Sequence, residues 1–330
     1  MSDAQEPRKL IFKNHQSPGD IVMLLYGIAS LHQSHPNKFL TDVRVTAREI
    51  FEGCNFITPL DEADPTVTVL KCEYPEIHKS NSHPVRFSTA FGNFLESKLG
   101  VKITPTKFSG LLEITETEHS WLSAVYEILG RDVPYWVLNA GHKKDFTAKA
   151  WPFSRYQELV NRFPDVWFVQ VGSKNHVHPK LVGKNLIDMV GKTSTRQLIR
   201  LVYNSFGVIS GVSFPMHLSY AVPPHPRFNR RSRASIVIAG GREPAHWEQG
   251  PNQQFLHTCG MLPCCDHGGC WKSRVVPLDD NDAKNRSLCT APVMFDDGQW
   301  VGQCMAMIEV DEVALIIKRY MDNLDYEPKN

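Results

Sequence analysis

The chain lacks any apolar run long enough to cross a bilayer. Its longest, Ile21 to Leu31, is broken by Gly27 and Ser30 and falls well short of the roughly 20 residues a spanning helix needs. The opening MSDAQEPRKL has no apolar core of the kind a secretory leader carries, so a cytoplasmic protein without a membrane span is expected. An excess of either charge is also missing. With 36 Lys and Arg against 35 Asp and Glu the formal net charge is +1, which gives no global attraction to nucleic acid or to an anionic membrane. Tandem repeats and low-complexity tracts are absent too, which leaves an ordinary globular chain. Cysteine is scarce until late: only Cys54 and Cys72 precede a group of six between Cys259 and Cys304. Thiols gathered in this way suggest one metal-bound or cross-linked unit, and in a reducing compartment metal is the commoner use.

What is present reads as two α/β units. The 330 residues allow two domains at a prior of about 150 residues each, and 42% hydrophobic with 22% charged residues suits a globular enzyme. Lys9 to Asn14 forms a β-like run, Ser17-Pro18-Gly19 a turn, and from Asp20 an apolar helical face continues. Further strands are predicted at Asp42–Ala47 and Thr66–Tyr74, and helices over FSTAFGNFLESKLG and HSWLSAVYEILG, ending at Gly100 and Gly130. A second series starts at Pro134. It runs YWVLNAG, a helix from Ser154, WFVQVG, a helix from Ser194, FGVISGVS, a helix near Pro215, and SIVIAGG. The repetition predicts doubly wound parallel sheets, with domains at 1–133 and 134–330 and a closing helix over 310–325. Two such domains in series place a ligand crevice between the carboxyl ends of both sheets.

Several residues sit where chemistry belongs. Asp20 stands at a strand-to-helix turn, where a carboxylate serves either as a helix N-cap or as a general base that Gly19 lets a substrate approach. Lys143, Lys144 and Lys149 follow the strand end at Gly141; at least two of them read as solvated loop, and Lys149 is the one retained as a diphosphate contact. The turn from Ser213 to His217 leads into a helix whose free N–H groups suit a phosphate, with Pro215 near the first helical position. His217 reads equally as a phosphate or sugar contact and as a satisfied core histidine. The run Arg227, Arg230, Arg231 and Arg233 reads as a solvated loop, with an anionic acceptor as the lesser alternative.

Taken in order, SPGDIVMLLYGIASL, AKAWPFSRYQEL, GKTSTRQLIRLV, GVSFPMHLSYAV and a cysteine-bearing tail ending QCMAMIEVDEV resemble the heptosyltransferase-like glycosyltransferases. The resemblance covers nearly the whole chain. It implies the GT-B fold, with two Rossmann-like domains facing a cleft, the acceptor held mainly by the first and the nucleotide sugar by the second. It implies metal-independent inverting transfer with Asp20 as catalytic base. Gly19, Gly141, Gly172, Lys149, Ser213, Pro215, Met216 and His217 are then expected around the donor, with Lys149 on the diphosphate. The acceptor would be a glycan, a lipid-linked sugar or a protein, and no nucleic acid is expected. Two departures stand out. Val212 and Phe214 replace an acid and a glycine of the family's turn, and WFVQVGSKNHVHP lacks a glutamate used on the donor ribose, so the sugar and the base stay open. Some relatives carry a four-cysteine iron-binding finger. Here Cys265, Cys270, Cys289 and Cys304 are the matching structural zinc or iron ligands, with Cys264 competing with Cys265 and Cys259 left over. Reduced thiols packed in a loop-rich tail are the rival reading. The alternatives for the whole chain are a GT-B nucleotide-sugar epimerase and a non-catalytic metal-bound nucleic-acid or scaffold module.

Overall fold

The computed structural model of the protein describes residues 6–76, 80, 83–143, 147–266, 268–270 and 289–324. Two parallel sheets carry the chain. The first holds β1 (Arg8–Asn14), β2 (Phe39–Val45) and β3 (Val67–Lys71) in the order β2-β1-β3. β1 is central, and Leu10, Ile11 and Phe12 are fully buried, as in a strand covered on both faces. Its chain turns at Ser17 into α1 (Pro18–Ser34), with Pro18 at the first helical position, where the missing N–H costs nothing. α1 is buried continuously from Gly19 to Leu31, so it is an interior helix and its apolar run is a packing feature. It packs on α2 (Phe87–Leu99), where Gly27 admits Phe91: a Cβ on that glycine would lie 2.9 Å from the Phe91 Cβ.

The helix expected over HSWLSAVYEILG is interrupted. α3 (Glu116–His119) stops before a second helix, α4 (Ala124–Leu129), begins. Ser123 is the cause, because its Oγ accepts the N–H of Val125 at 3.1 Å and that of Tyr126 at 3.4 Å and so starts a new helix. The predicted strand Thr66–Tyr74 is also shorter than expected, ending at Lys71.

The second sheet contains β4 (Tyr135–Asn139), β5 (Trp167–Gln170), β6 (Leu186–Asp188), β7 (Gly207–Gly211), β8 (Ala234–Gly240) and β9 (Gln254–His257). Their order, β6-β5-β4-β7-β8-β9 with every pair parallel, is the doubly wound arrangement with its switch between β4 and β7. α5 (Phe153–Arg162), α6 (Thr195–Asn204), α7 (Phe214–Ala221) and a closing helix (Val310–Asp322) complete this half, and position 325 of the expected closing helix lies outside the described residues. One apolar cluster joins the first sheet, α1 and α2 to Val137, Val169, Val208 and Leu218 of the second half. A second cluster, around Trp136, Phe206, Ile236 and Ile317, sits under the closing helix.

Polar contacts fasten the two halves. Arg196 of α6 donates to Glu118 of α3, Nε to Oε1 at 2.6 Å, and both residues are buried. The N–H groups of Gly110 and Leu112 donate to the carbonyls of Tyr220 and Ala221, each at 2.8 Å. Two of the four arginines of the run depart from the solvated loop expected of it, while Arg231 is exposed. Arg227 and Arg233 are buried, Arg227 paired with Asp132 and Arg233 donating to the carbonyls of Ser205 at 2.9 Å and Pro223 at 2.7 Å. Their charge is therefore spent on chain carbonyls and one carboxylate inside the fold, and neither arginine is available to an acceptor.

Candidate active site

The turns that the sheet orders single out open on one cleft of about 660 Å³. β1 contributes Ser17, Gly19 and Asp20; β4 and β5 contribute Asn139, Gly141, Gly172 and Ser173; β7 contributes Gly211 to Pro215. Residues after β8, on and before the short helix α8 (Ala245–Glu248), add Glu243, Trp247 and Glu248.

Asp20 is the third residue of α1, and the N-cap position belongs to Ser17. Its Oδ2 accepts the N–H of Ser17 at 2.9 Å. The side chain is buried, and burial pushes its pKa up to about 6, against the Ser17 hydrogen bond and the positive charges of Lys149 and Lys143. At neutral pH it is an ionised carboxylate with more proton affinity than a surface aspartate, which suits a general base.

Lys149 faces the same space. Its Nζ lies 2.5 Å from Glu243 Oε1 and 3.5 Å from the Val212 carbonyl. Lys143, assigned on sequence to the solvated loop, instead crosses the cleft and donates to Ser17 Oγ at 2.9 Å. An exposed lysine after a strand end gives no pattern by which sequence reasoning would separate it from its neighbours. Lys144 lies outside the described residues.

His217, in the first half of α7, is buried and packs its ring against Gly19. Burial, with Lys149 nearby, lowers its pKa to about 3, so the imidazole is neutral. Its Nδ1 is 2.6 Å from the Tyr220 hydroxyl, whose own pKa is raised well above normal by burial. Tyr220 therefore keeps its proton, one hydrogen bond joins the two side chains, and His217 Nε2 lies 4.0 Å from Glu248 Oε2. Ser213 is the N-cap of α7 but makes no side-chain cap bond, and Pro215 and Met216 follow it in the first turn.

Gly141 and Gly172 have a packing reason of their own. A Cβ on either would overlap the ring of His178, which fills the space between the two strand ends and bonds the Ser173 carbonyl through Nε2 at 2.9 Å. Glu243 and Glu248 belong to no motif that sequence reasoning singles out. The signal available was the pair of glycines closing SIVIAGG, since a strand end in the second sheet faces the cleft.

The cysteine segment lies behind β8. Cys264, Cys270, Cys289 and Cys304 line one small cavity together with Gly241 and Arg242. Cys265 is buried beside them, its thiol directed to the Thr258 carbonyl at 3.5 Å. Burial, with neighbouring cysteines and Glu243 adding to it, pushes Cys259 and Cys270 up to about 12, at Cys270 against the positive charge of Arg242. Residues 267 and 271–288 of this segment lie outside the described residues. Among the described residues, no three His, Cys, Asp or Glu side chains are grouped to hold a metal ion, and no helix is long and apolar enough to cross a membrane.

No protein-family model and no curated protein matches the chain in sequence. Solved structures match it over almost its full length. A glycosyl transferase family 9 protein from Veillonella parvula superposes with a TM-score of 0.58 at 15% identity, covering 97% of this chain and 99% of that one. The ADP-heptose LPS heptosyltransferase II of E. coli gives 0.55 at 12% identity, covering 95% and 98%. The iron-containing dodecameric glycosyltransferase TibC of enterotoxigenic E. coli gives 0.58 at 15%, covering 96% of this chain and 76% of that one. The fold is GT-B. Two Rossmann-like units facing a cleft, with a cysteine-rich segment near the end, match the architecture expected from the sequence.

Proposed function

We propose that the protein is an inverting glycosyltransferase that moves a sugar from a nucleoside diphosphate to an acceptor hydroxyl. The observation that carries this reading is the meeting of Asp20 from the first sheet and Lys149 from the second on one cleft, close enough for the lysine charge to act on the carboxyl. In the proposed step Asp20 takes the proton of the acceptor O–H as that oxygen forms its bond to the anomeric carbon. The bond from that carbon to the phosphate oxygen breaks on the opposite face, and the nucleoside diphosphate leaves with the electron pair. Lys149, with the N-terminus of α7 behind Ser213, offsets the charge that develops on the leaving group, the task a divalent ion has in other transferases. Neutral His217 lines the cleft at the same place. Residues 1–133 would hold the acceptor, whether glycan, lipid-linked sugar or protein, and residues 134–330 the donor. Support comes from the GT-B fold, and from an ADP complex and an ADP-heptose complex among the structural neighbours.

The test is Asp20→Ala, followed as nucleoside diphosphate release and as nucleotide binding. Release should be lost while binding survives; retained turnover would return Asp20 to a purely structural place in α1.

A structural zinc or iron in the cysteine segment is a separate part of this proposal. Thiolate chemistry suits either ion, and the neighbour TibC is iron-containing. Cys270, Cys289 and Cys304 with either Cys265 or Cys264 are the residues that would hold it, and the ion would pin the segment without touching substrate. Metal analysis of protein purified without chelator, repeated on Cys270→Ser, decides this. Near-full occupancy lost in the variant supports it, and neither metal in the wild type leaves free thiols.

A further inference from the structure

The cleft holds two carboxyl groups that the proposed reaction does not use. Glu243 is 2% exposed and Glu248 has a side chain 10% exposed. In each, Oε2 is buried and has no hydrogen-bond partner among the described residues. Buried polar atoms are nearly always paired, so two orphaned carboxyl oxygens on residues that line one cleft call for a partner from outside the chain. The other oxygen of Glu243 is occupied, since Oε1 holds Lys149 at 2.5 Å.

Their position is informative. The Glu248 carboxyl lies within electrostatic reach of Glu243, Lys149 and Asp20, and its Oε2 is 4.0 Å from His217 Nε2. It therefore lines the same part of the cleft as the lysine assigned to the diphosphate and the carboxylate assigned to the acceptor. In the proposed reaction the transferred sugar lies in this part of the cleft, because its anomeric carbon is bonded to the diphosphate that Lys149 holds and is attacked by the acceptor oxygen that Asp20 deprotonates. The turn after β7 offers no carboxylate there, since Val212 and Phe214 present only apolar side chains to the cleft.

We propose that Glu248, with Glu243 beside it, forms the donor-sugar subsite and binds vicinal hydroxyls of the transferred sugar through the two unpartnered oxygens. The assignment rests on the glycosyltransferase reading and adds to it the groups that select the sugar. Burial and the neighbouring Glu243 raise the Glu248 pKa to about 8, so at neutral pH it is a carboxylic acid able to donate one hydrogen bond and accept another. Glu243 stays paired with Lys149, which couples recognition of the sugar to recognition of the diphosphate.

The experiment is calorimetric titration of wild type and Glu248→Gln with ADP-heptose, GDP-mannose and UDP-glucose, each against its free nucleoside diphosphate. The wild type should bind one nucleotide sugar more tightly than its nucleotide. Glu248→Gln should keep its affinity for the nucleotide, which also shows that it is folded, and lose about tenfold for the nucleotide sugar. An unchanged sugar increment, or a parallel loss for both ligands, overturns the subsite while leaving the transferase reading intact. If the wild type binds none of the six, the transferase reading fails and the subsite with it.

Discussion

Gly19 and His217 touch across the two sheets: a Cβ on Gly19 would stand 2.6 Å from His217 Cδ2 and 3.0 Å from Nε2. The residue before Asp20 is thus in contact with the helix that follows β7, so the two halves of the cleft share one packing constraint. Gly19→Ala has to displace either a buried ring or the start of α1, and overpacking of this kind costs roughly 1–3 kcal/mol. Urea unfolding should show that loss. Gly92→Ala, in α2 with nothing within 4 Å of the added methyl, should gain about 0.5–1 kcal/mol instead.

The ionisation of Asp20 makes activity and stability respond to pH in opposite senses. Its folded pKa of about 6 lies above the ordinary 3.8, so below pH 4 the group is protonated in both states and contributes no difference. Between pH 4 and 6 the unfolded chain ionises first, and above pH 6 the folded state carries the full cost of the buried charge, roughly 3 kcal/mol. Asp20→Asn should therefore be more stable than wild type at pH 7, with the difference vanishing below pH 4. Turnover of the wild type should rise through pH 6 as the base ionises.

Lys143 holds that pKa down through its charge. Removing it with Lys143→Ala takes away both the charge and the hydrogen bond to Ser17 Oγ. The acidic limb of the pH–rate profile should move to higher pH. An unmoved limb would mean that the lysine acts only as a clasp.

Arg196 and Glu118 are both buried and directly paired between α6 and α3. Breaking such a pair by removing one partner typically costs about 3–5 kcal/mol, because the other charge is stranded. Glu118→Ala should be destabilised on that scale in chemical unfolding. The Glu118 pKa is lowered: burial acts to raise it, and the hydrogen bonds from Arg196 and Thr115 outweigh that effect. Its contribution is thus present above the ordinary glutamate range and is lost as pH falls through the depressed value, and the variant should show a smaller acid dependence than wild type.

Much of this was legible in the sequence, and what was not has physical causes. The strand-turn-helix at Asn14 to Asp20 and the alternation after Pro134 follow from apolar runs broken by Gly, Ser and Pro, and these fixed the fold class. Ser123 broke a helix that apolar spacing made look continuous, because a side-chain cap competes locally with propagation. Arg233 reads as a surface charge in any window, and only the fold brings the Ser205 and Pro223 carbonyls to it. Glu243 and Glu248 sit in a loop-like stretch without periodicity, so their convergence with Lys149 and Asp20 is a property of the tertiary structure alone.

The proposed reaction requires this cleft to bind a nucleotide sugar through Lys149. Titrating wild type and Lys149→Ala with ADP-heptose, GDP-mannose and UDP-glucose tests it most directly. Saturable binding of at least one donor, weakened tenfold or more in the variant, a loss of about 1.4 kcal/mol, is the predicted result. No saturable binding of any donor, or equal binding by both proteins, would contradict it.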